Sequence, residues 1–327
     1  MSRKRSKYSG RRYKRLCAGY WTKYKKMRAF KFERVIFNIK LRLEKRENPY
    51  PVKPPGTVGR PPIPPKVILI CILIKLLLDL SYMDTESFLR FLCKNKKSLL
   101  PVVPDANTIQ EHIIDIPERY LEDMIIECQK VLSGLHLTII FDSTGHSTIQ
   151  YRCWRVSRNG SKTEKRKFLK VHVVLDRERN LILIGKVSKG WKGDPKICER
   201  MLQKLKGSMK KYGFQIKNAI GDAGYAARYL IRAIRNLGAR AFIKVKSNHS
   251  AKKKGERDWP LLVEFQRQNP KEFQKVYCER VVIEGIFSAI KNIFGRVVRS
   301  KKRHSQNIEL MGRILLWNYI QIEPDEF

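Results

Sequence analysis

The stretch "YCERVVIEGIFSAIK", residues 277–291, carries Tyr277, Arg280, Glu284 and Lys291 in an otherwise mostly apolar run. On a helix turning about 100° per residue, these four side chains fall within about 60° of one another. Ile283, Ile286, Phe287, Ile290, Ile293 and Phe294 gather on a second arc that would face a core. Arg and Glu four residues apart are ordinary on an exposed helix, where such a pair adds roughly 0.2–0.5 kcal/mol. Tyr and Lys on the same stripe make it a row of phosphate-directed groups around one acid. Arg forks onto phosphate, Lys supplies a point charge, and Tyr stacks on a base or bonds a phosphate oxygen.

Two further acids stand at the ends of apolar runs. Asp142 closes "LHLTIIFD" and Asp222 closes "FQIKNAIGD". A carboxylate there either caps the next turn or helix or binds something, and for each aspartate alone both readings stay open. If Asp142, Asp222 and Glu284 converge, their mutual repulsion makes unpaired burial costly. Divalent cations resolve that conflict. Hard oxygen ligands suit magnesium, and two ions about 4 Å apart clamp the attacking and leaving oxygens of a displacement at phosphorus. No Cys or His nucleophile is needed, and the seven cysteines and six histidines are scattered without CxxC, HxxxH or HExxH spacing. Asp176, at a hairpin turn, and Asp194, before Pro195 at a helix start, have structural explanations. Trp191, in "KGWKGD", reads as a packing residue, with stacking on a flipped base as the alternative.

The elements that would position the acids follow from hydrophobic period and turn residues. Residues 1–50 form a basic N-terminal arm or helical module with 18 Lys or Arg against 3 Glu. Residues 51–65 are a proline-rich linker that no helix can cross. Helices are predicted at 66–80, 84–92, 105–113 and 117–133, so 66–134 is a helical region, either a helix-turn-helix DNA reader or a plain bundle. Strands are predicted at 135–142, 167–176 and 180–189, followed by helix 194–212, strand 214–222, helix 225–238, strand 239–247, the helix of the opening stretch, and an outer helix at 306–320. A meander followed by alternating helix and strand gives an α/β fold with a mixed sheet. By analogy of topology this order resembles a ribonuclease-H-like catalytic domain over 135–325, in which the first and fourth strands would lie side by side.

The net charge of +39 on 327 residues attracts polyanions, nucleic acid foremost. The basic run "RVVRSKKRH", 296–304, is expected to track a DNA backbone. "MSRKRSKYSG" lacks the apolar segment of a signal peptide. The apolar run 67–80 is too short to span a bilayer and contains Lys75. A soluble, cytoplasmic protein is expected, nucleoid-associated if prokaryotic, with no membrane partner.

The spacing Tyr277, Arg280, Glu284, Lys291 resembles the signature of the insertion-sequence DDE transposases. "FDST" and "GDAGY" are similar to the contexts of that family's first and second aspartates, and "GRPPIPPKVIL" and "LSYMDTESFLRFL" to its helical amino-terminal region. The resemblance covers roughly 57–320. Gly285 departs from it, standing where a polar or charged residue is more usual. It implies that Asp142, Asp222 and Glu284 bind two catalytic magnesium or manganese ions and that Tyr277, Arg280 and Lys291 hold DNA near the cut. It further implies double-stranded DNA partners, namely terminal inverted repeats and target DNA, and a homodimer in the synaptic complex. The rival expectations are a ribonuclease-H-like DNA nuclease without strand transfer and a DNA-binding protein whose catalysis has decayed.

Overall fold

The computed structural model describes residues 31–52, 62–95, 100–148, 154–156, 162–164, 168–190, 193–245, 251 and 257–323. Most of the basic arm and of the proline-rich linker, together with Trp191, lies outside them. Four helices, α1 (Lys31–Glu44), α2 (Pro65–Leu78), α3 (Tyr82–Asn95) and α4 (Ala106–His112), precede α5 (Glu118–Glu127) and a 3-10 turn at Cys128–Leu132. Pro65 at the first helical position suits α2, because its missing N–H would have no helical partner there. Asp105 caps α4 by accepting from the Thr108 N–H at 2.8 Å.

Strand β1 (His136–Ser147) is followed by a small hairpin, β2 (Trp154–Val156) with β3 (Lys162–Glu164), then β4 (Phe168–Asp176) and β5 (Ile182–Lys189). Next come α6 (Asp194–Tyr212), β6 (Gln215–Gly221), a 3-10 turn at Ala223–Tyr225, α7 (Arg228–Arg235) and β7 (Arg240–Ile243). The five-stranded sheet runs β5-β4-β1-β6-β7. β1 pairs antiparallel with β4 and parallel with β6, and β6 pairs parallel with β7. The adjacency of β1 and β6 is the one that the element order predicts, and the order is ribonuclease-H-like. β1 differs in length: it does not stop at Asp142 but continues to Ser147, because β4 keeps pairing with it through Ser147 and Phe168. Asp142 therefore lies within a strand, one residue past the last parallel pair, Phe141 with Gly221.

After β7 come α8 (Asp258–Gln268), α9 (Pro270–Tyr277), a 3-10 turn at Cys278–Arg280, α10 (Val281–Phe294) and α11 (Arg303–Gln321). The opening stretch is not one α-helix: Tyr277 ends α9, and the 3-10 turn separates it from α10. The final helix is not an outer one. Its residues from Ile308 to Ile320 are all buried, and it packs on α1, α2, α5, α10 and β5. The reason is that its polar residues find partners inside. Asn318 clamps Ile182 on β5, donating to its C=O at 2.7 Å and accepting from its N–H at 2.9 Å. Arg313 and Glu309 pair at 2.7 Å, each about 2% exposed. Residues 31–44 of the basic module pack on this same helix, with Val35, Ile39 and Leu43 buried and Asn38 donating to the Tyr319 C=O at 3.2 Å.

Candidate active site

Asp142 and Asp222 follow the last paired residues of adjacent parallel strands, so their backbones are neighbours. This closeness depends on Gly221. A Cβ there would lie 2.2 Å from the Phe141 ring, which crosses the neighbouring strand and meets the Tyr225 ring edge-on at 5.0 Å. Asp222 turns the chain by accepting from the Gly224 N–H at 2.8 Å through one carboxylate oxygen. The turn role and a binding role are thus compatible in one side chain.

Glu284 lies in the first turn of α10, and its side chain is 57% exposed rather than folded among the isoleucines. Ile283, Ile286, Ile290 and Phe294 instead hold the opposite face of α10 in the core. Arg280, at the end of the 3-10 turn, donates to Asp142 Oδ2 at 3.1 Å and to Glu284 Oε1 at 2.6 Å. Tyr277 stacks on Phe273 at 5.5 Å and comes within hydrogen-bonding reach of Arg280. Lys291 donates to Thr144 Oγ1 at 2.6 Å, on the same face of β1 as Asp142.

Burial pushes the Asp142 carboxyl up to about 6 against a pull from its hydrogen bond to the Ser143 N–H. The charges of Asp222 and Glu284 push it further while Arg280 opposes them. Burial also raises the Tyr277 phenol and lowers the Lys291 ammonium. Asp142 therefore feels both other acids, although among the described residues no three acidic, His or Cys side chains converge on one point that a metal ion could occupy. The donor set still fits a divalent cation. All three donors are hard carboxylates, and the Arg280 fork stands in for a cation between two of them.

The sequence reading names these six residues but not the side chains that support them. Asp194 begins α6 yet caps nothing with its side chain. It accepts from Lys170 at 2.7 Å and from the Ser143 hydroxyl at 3.1 Å, tying β4 and β1 together beneath Asp142. Only the alternation of Asp142 and Ser143 across the strand signals this.

A mixed sheet in this order, with carboxylates after two adjacent parallel strands and on the facing helix, is a ribonuclease-H-like arrangement. The chain belongs to the transposase DDE domain family, whose model matches residues 133–319. Among solved structures it is similar to the Drosophila P element transposase strand transfer complex, with 13% identity over 57% of this chain and 38% of that one and a TM-score of 0.28. It thus spans less than half the length of that protein. It is also similar to the piggyBac transposase synaptic complex with hairpin DNA (12% identity, 87% and 71% covered, TM-score 0.35). A third similarity is to the Mos1 strand transfer complex (11%, 72% and 73%, 0.30). No curated protein matches.

Proposed function

We propose that the chain binds the ends of a DNA element, cuts the DNA there and joins the freed 3′ hydroxyl to target DNA. The carrying observation is that Arg280 draws Asp142 and Glu284 onto one guanidinium, with Asp222 beside them, inside the segment that the family model matches. Two magnesium or manganese ions held by Asp142, Asp222 and Glu284 would supply Lewis acidity to the attacking and leaving oxygens.

The remaining work falls to the chain. Arg280 exchanges its carboxylate partners for a DNA phosphate, which its fork fits bidentately. Tyr277, braced by Phe273, offers a ring and a hydroxyl to the nucleotide beside the cut. Lys291, aimed along β1 by Thr144, grips the backbone as a point charge. Residues 66–134 act as the DNA-binding region and 135–325 as the catalytic domain, preceded by the basic module of 1–50 and the linker of 51–65. Two ends must be joined, so the working assembly is a homodimer on double-stranded DNA. Its site of action is the cytoplasm, with the nucleoid in a prokaryote. Among the described residues no helix is long and apolar enough to cross a membrane.

The test is a strand-transfer assay with element-end duplex and magnesium, comparing wild type with Asp222→Ala. Joined product from wild type and none from the variant is expected. Cleavage without joining would favour the nuclease reading, and undiminished joining by Asp222→Ala would overturn the mechanism.

A further inference from the structure

The sheet ladder does not by itself fix Asp222 against Asp142. The last parallel pair of β1 and β6 is Phe141 with Gly221, one residue before each acid. Beyond it the two chains part. β1 runs on beside β4, whereas Asp222 enters the 3-10 turn at Ala223–Tyr225. Two carboxylates that are to share cations need a set separation, so something other than strand hydrogen bonds has to supply it.

The side chains that cross this gap lie on the opposite face of β1 from Asp142 and Thr144, because neighbours along a strand alternate. There Ser143 stands directly across from His172 on β4, and Lys170 pairs with Ser188 on β5. Helix α6 packs over this face. Its first residue, Asp194, accepts from Lys170 at 2.7 Å through Oδ1 and from the Ser143 hydroxyl at 3.1 Å through Oδ2. A serine hydroxyl has one proton, so towards a second partner Ser143 can only accept. That partner is the Tyr225 hydroxyl, which comes within hydrogen-bonding reach of Ser143.

Tyr225 is 2% exposed, and its ring meets Phe141 edge-on at 5.0 Å. Phe141 and Ser143 flank Asp142 in the chain, so one tyrosine grips both neighbours of that aspartate from behind. Tyr225 is equally tied to the second acid. Its N–H donates to the Asp222 carbonyl at 3.1 Å, inside the turn that the Asp222 side chain closes on Gly224. Asp194 is not a fourth member of the acidic group. It sits on the far face of the sheet with an oxygen on each of two donors, and Lys170 balances its charge.

We propose that Tyr225, Ser143 and Asp194 form a brace behind the site that fixes Asp222 against Asp142, with Asp194 as the positioning residue that anchors it. The inference rests on reading the two aspartates as metal ligands. Ligands held at a set spacing lose less ordering entropy when they close on a cation, and groups that orient a ligand govern its affinity for metal.

Manganese titrated calorimetrically into the full chain without DNA reads the brace apart from turnover. Tyr225→Phe keeps the ring on Phe141 and removes only the hydroxyl, and Ser143→Ala removes the middle link. Each should weaken manganese binding by about tenfold. The double variant should bind little more weakly than Ser143→Ala alone, because both changes break the same bond. Asp194→Ala should match them, and Asp194→Asn, which keeps an acceptor oxygen for Ser143, should recover most of the affinity. Ser188→Ala takes a hydrogen bond from His172 in the same cluster. It should lower the denaturant midpoint without moving manganese affinity. Hydrogen exchange of the backbone amides at 222–226 should rise in Tyr225→Phe and Ser143→Ala and stay at the wild-type rate in Ser188→Ala.

Unchanged exchange and manganese affinity in Tyr225→Phe and Ser143→Ala would overturn the proposal, as would an equal loss of affinity in Ser188→Ala. Complete loss of manganese binding in Asp194→Asn would also overturn it, by making Asp194 a ligand. If wild type takes up no manganese while the brace variants still raise exchange at 222–226, the metal reading fails and the tie between the two strand ends stands.

Discussion

Asp142 and Glu284, remote in the chain, are bound to the two sides of one guanidinium, at 3.1 and 2.6 Å from Arg280. A cation already sits between two of the proposed metal ligands, so under the proposed function Arg280 would compete with metal in the free protein and pass to phosphate in the complex.

This competition separates metal affinity from turnover. Arg280→Ala should bind manganese several-fold more tightly than wild type when titrated without DNA, because the competing charge is gone. The same variant should cut and join DNA at least about tenfold more slowly. Isothermal titration together with the strand-transfer assay reads both. Arg280→Lys should recover little of the rate, since an ammonium cannot fork.

Glu284→Gln keeps the shape of the α10 face but removes one of the three negative donors. Joining should fall by more than about 100-fold, beyond the loss usual for a supporting residue, while duplex affinity stays within about twofold. Gel-shift and joining assays on the same preparation decide it.

Gly221→Ala tests whether the spacing of the two aspartates rests on ring packing. The new methyl would press into the Phe141 ring at 2.2 Å, and that ring is buried against Tyr225. We expect a loss of about 1–3 kcal/mol in denaturant unfolding, accompanied by reduced joining because Phe141 immediately precedes Asp142.

Acid should destabilise the fold through two buried histidines. Burial lowers His146 to about 3, with Arg313 and Lys291 adding to it, and lowers His172 to about 4 despite the opposing Asp194 charge. Both folded values lie below the usual 6.5, so each contributes stability that is complete above that pH. That stability is lost as pH falls towards 4 and then 3, with a slope of about 1.4 kcal/mol per pH unit for each histidine. His172 hydrogen-bonds Ser188 at 2.8 Å with Lys170 nearby, and His172→Gln keeps polar atoms there without the titration. Unfolding curves from pH 7 to 4 should be shallower in that variant by one proton's slope.

Much of this arrangement was legible in the sequence because it rests on local periods. The stripe of Tyr277, Arg280, Glu284 and Lys291 and the apolar arc of Ile283, Ile286 and Ile290 follow from helical spacing, and the meander from alternation and turn residues. The element order was enough to place β1 beside β6. What escaped is what depends on partners distant in the chain. Glu309 and Arg313 read as surface charges on α11 until each is seen to satisfy the other and the loop at 295–300. Arg280 reads as a free phosphate ligand until Asp142, from another element, is beside it. The break at Cys278–Arg280 carries no glycine or proline to announce it.

The burial of α11 orders events during synthesis. Val35, Ile39 and the α2 residue Leu76 pack on a helix made much later in the chain; a Cβ on Gly312 would come within 2.5 Å of Leu76. Helices α1 and α2 therefore lack that surface to dock on until residues 303–321 have emerged. A nascent chain stalled before that point exposes their apolar faces, making this interval the one in which chaperones and proteases have access.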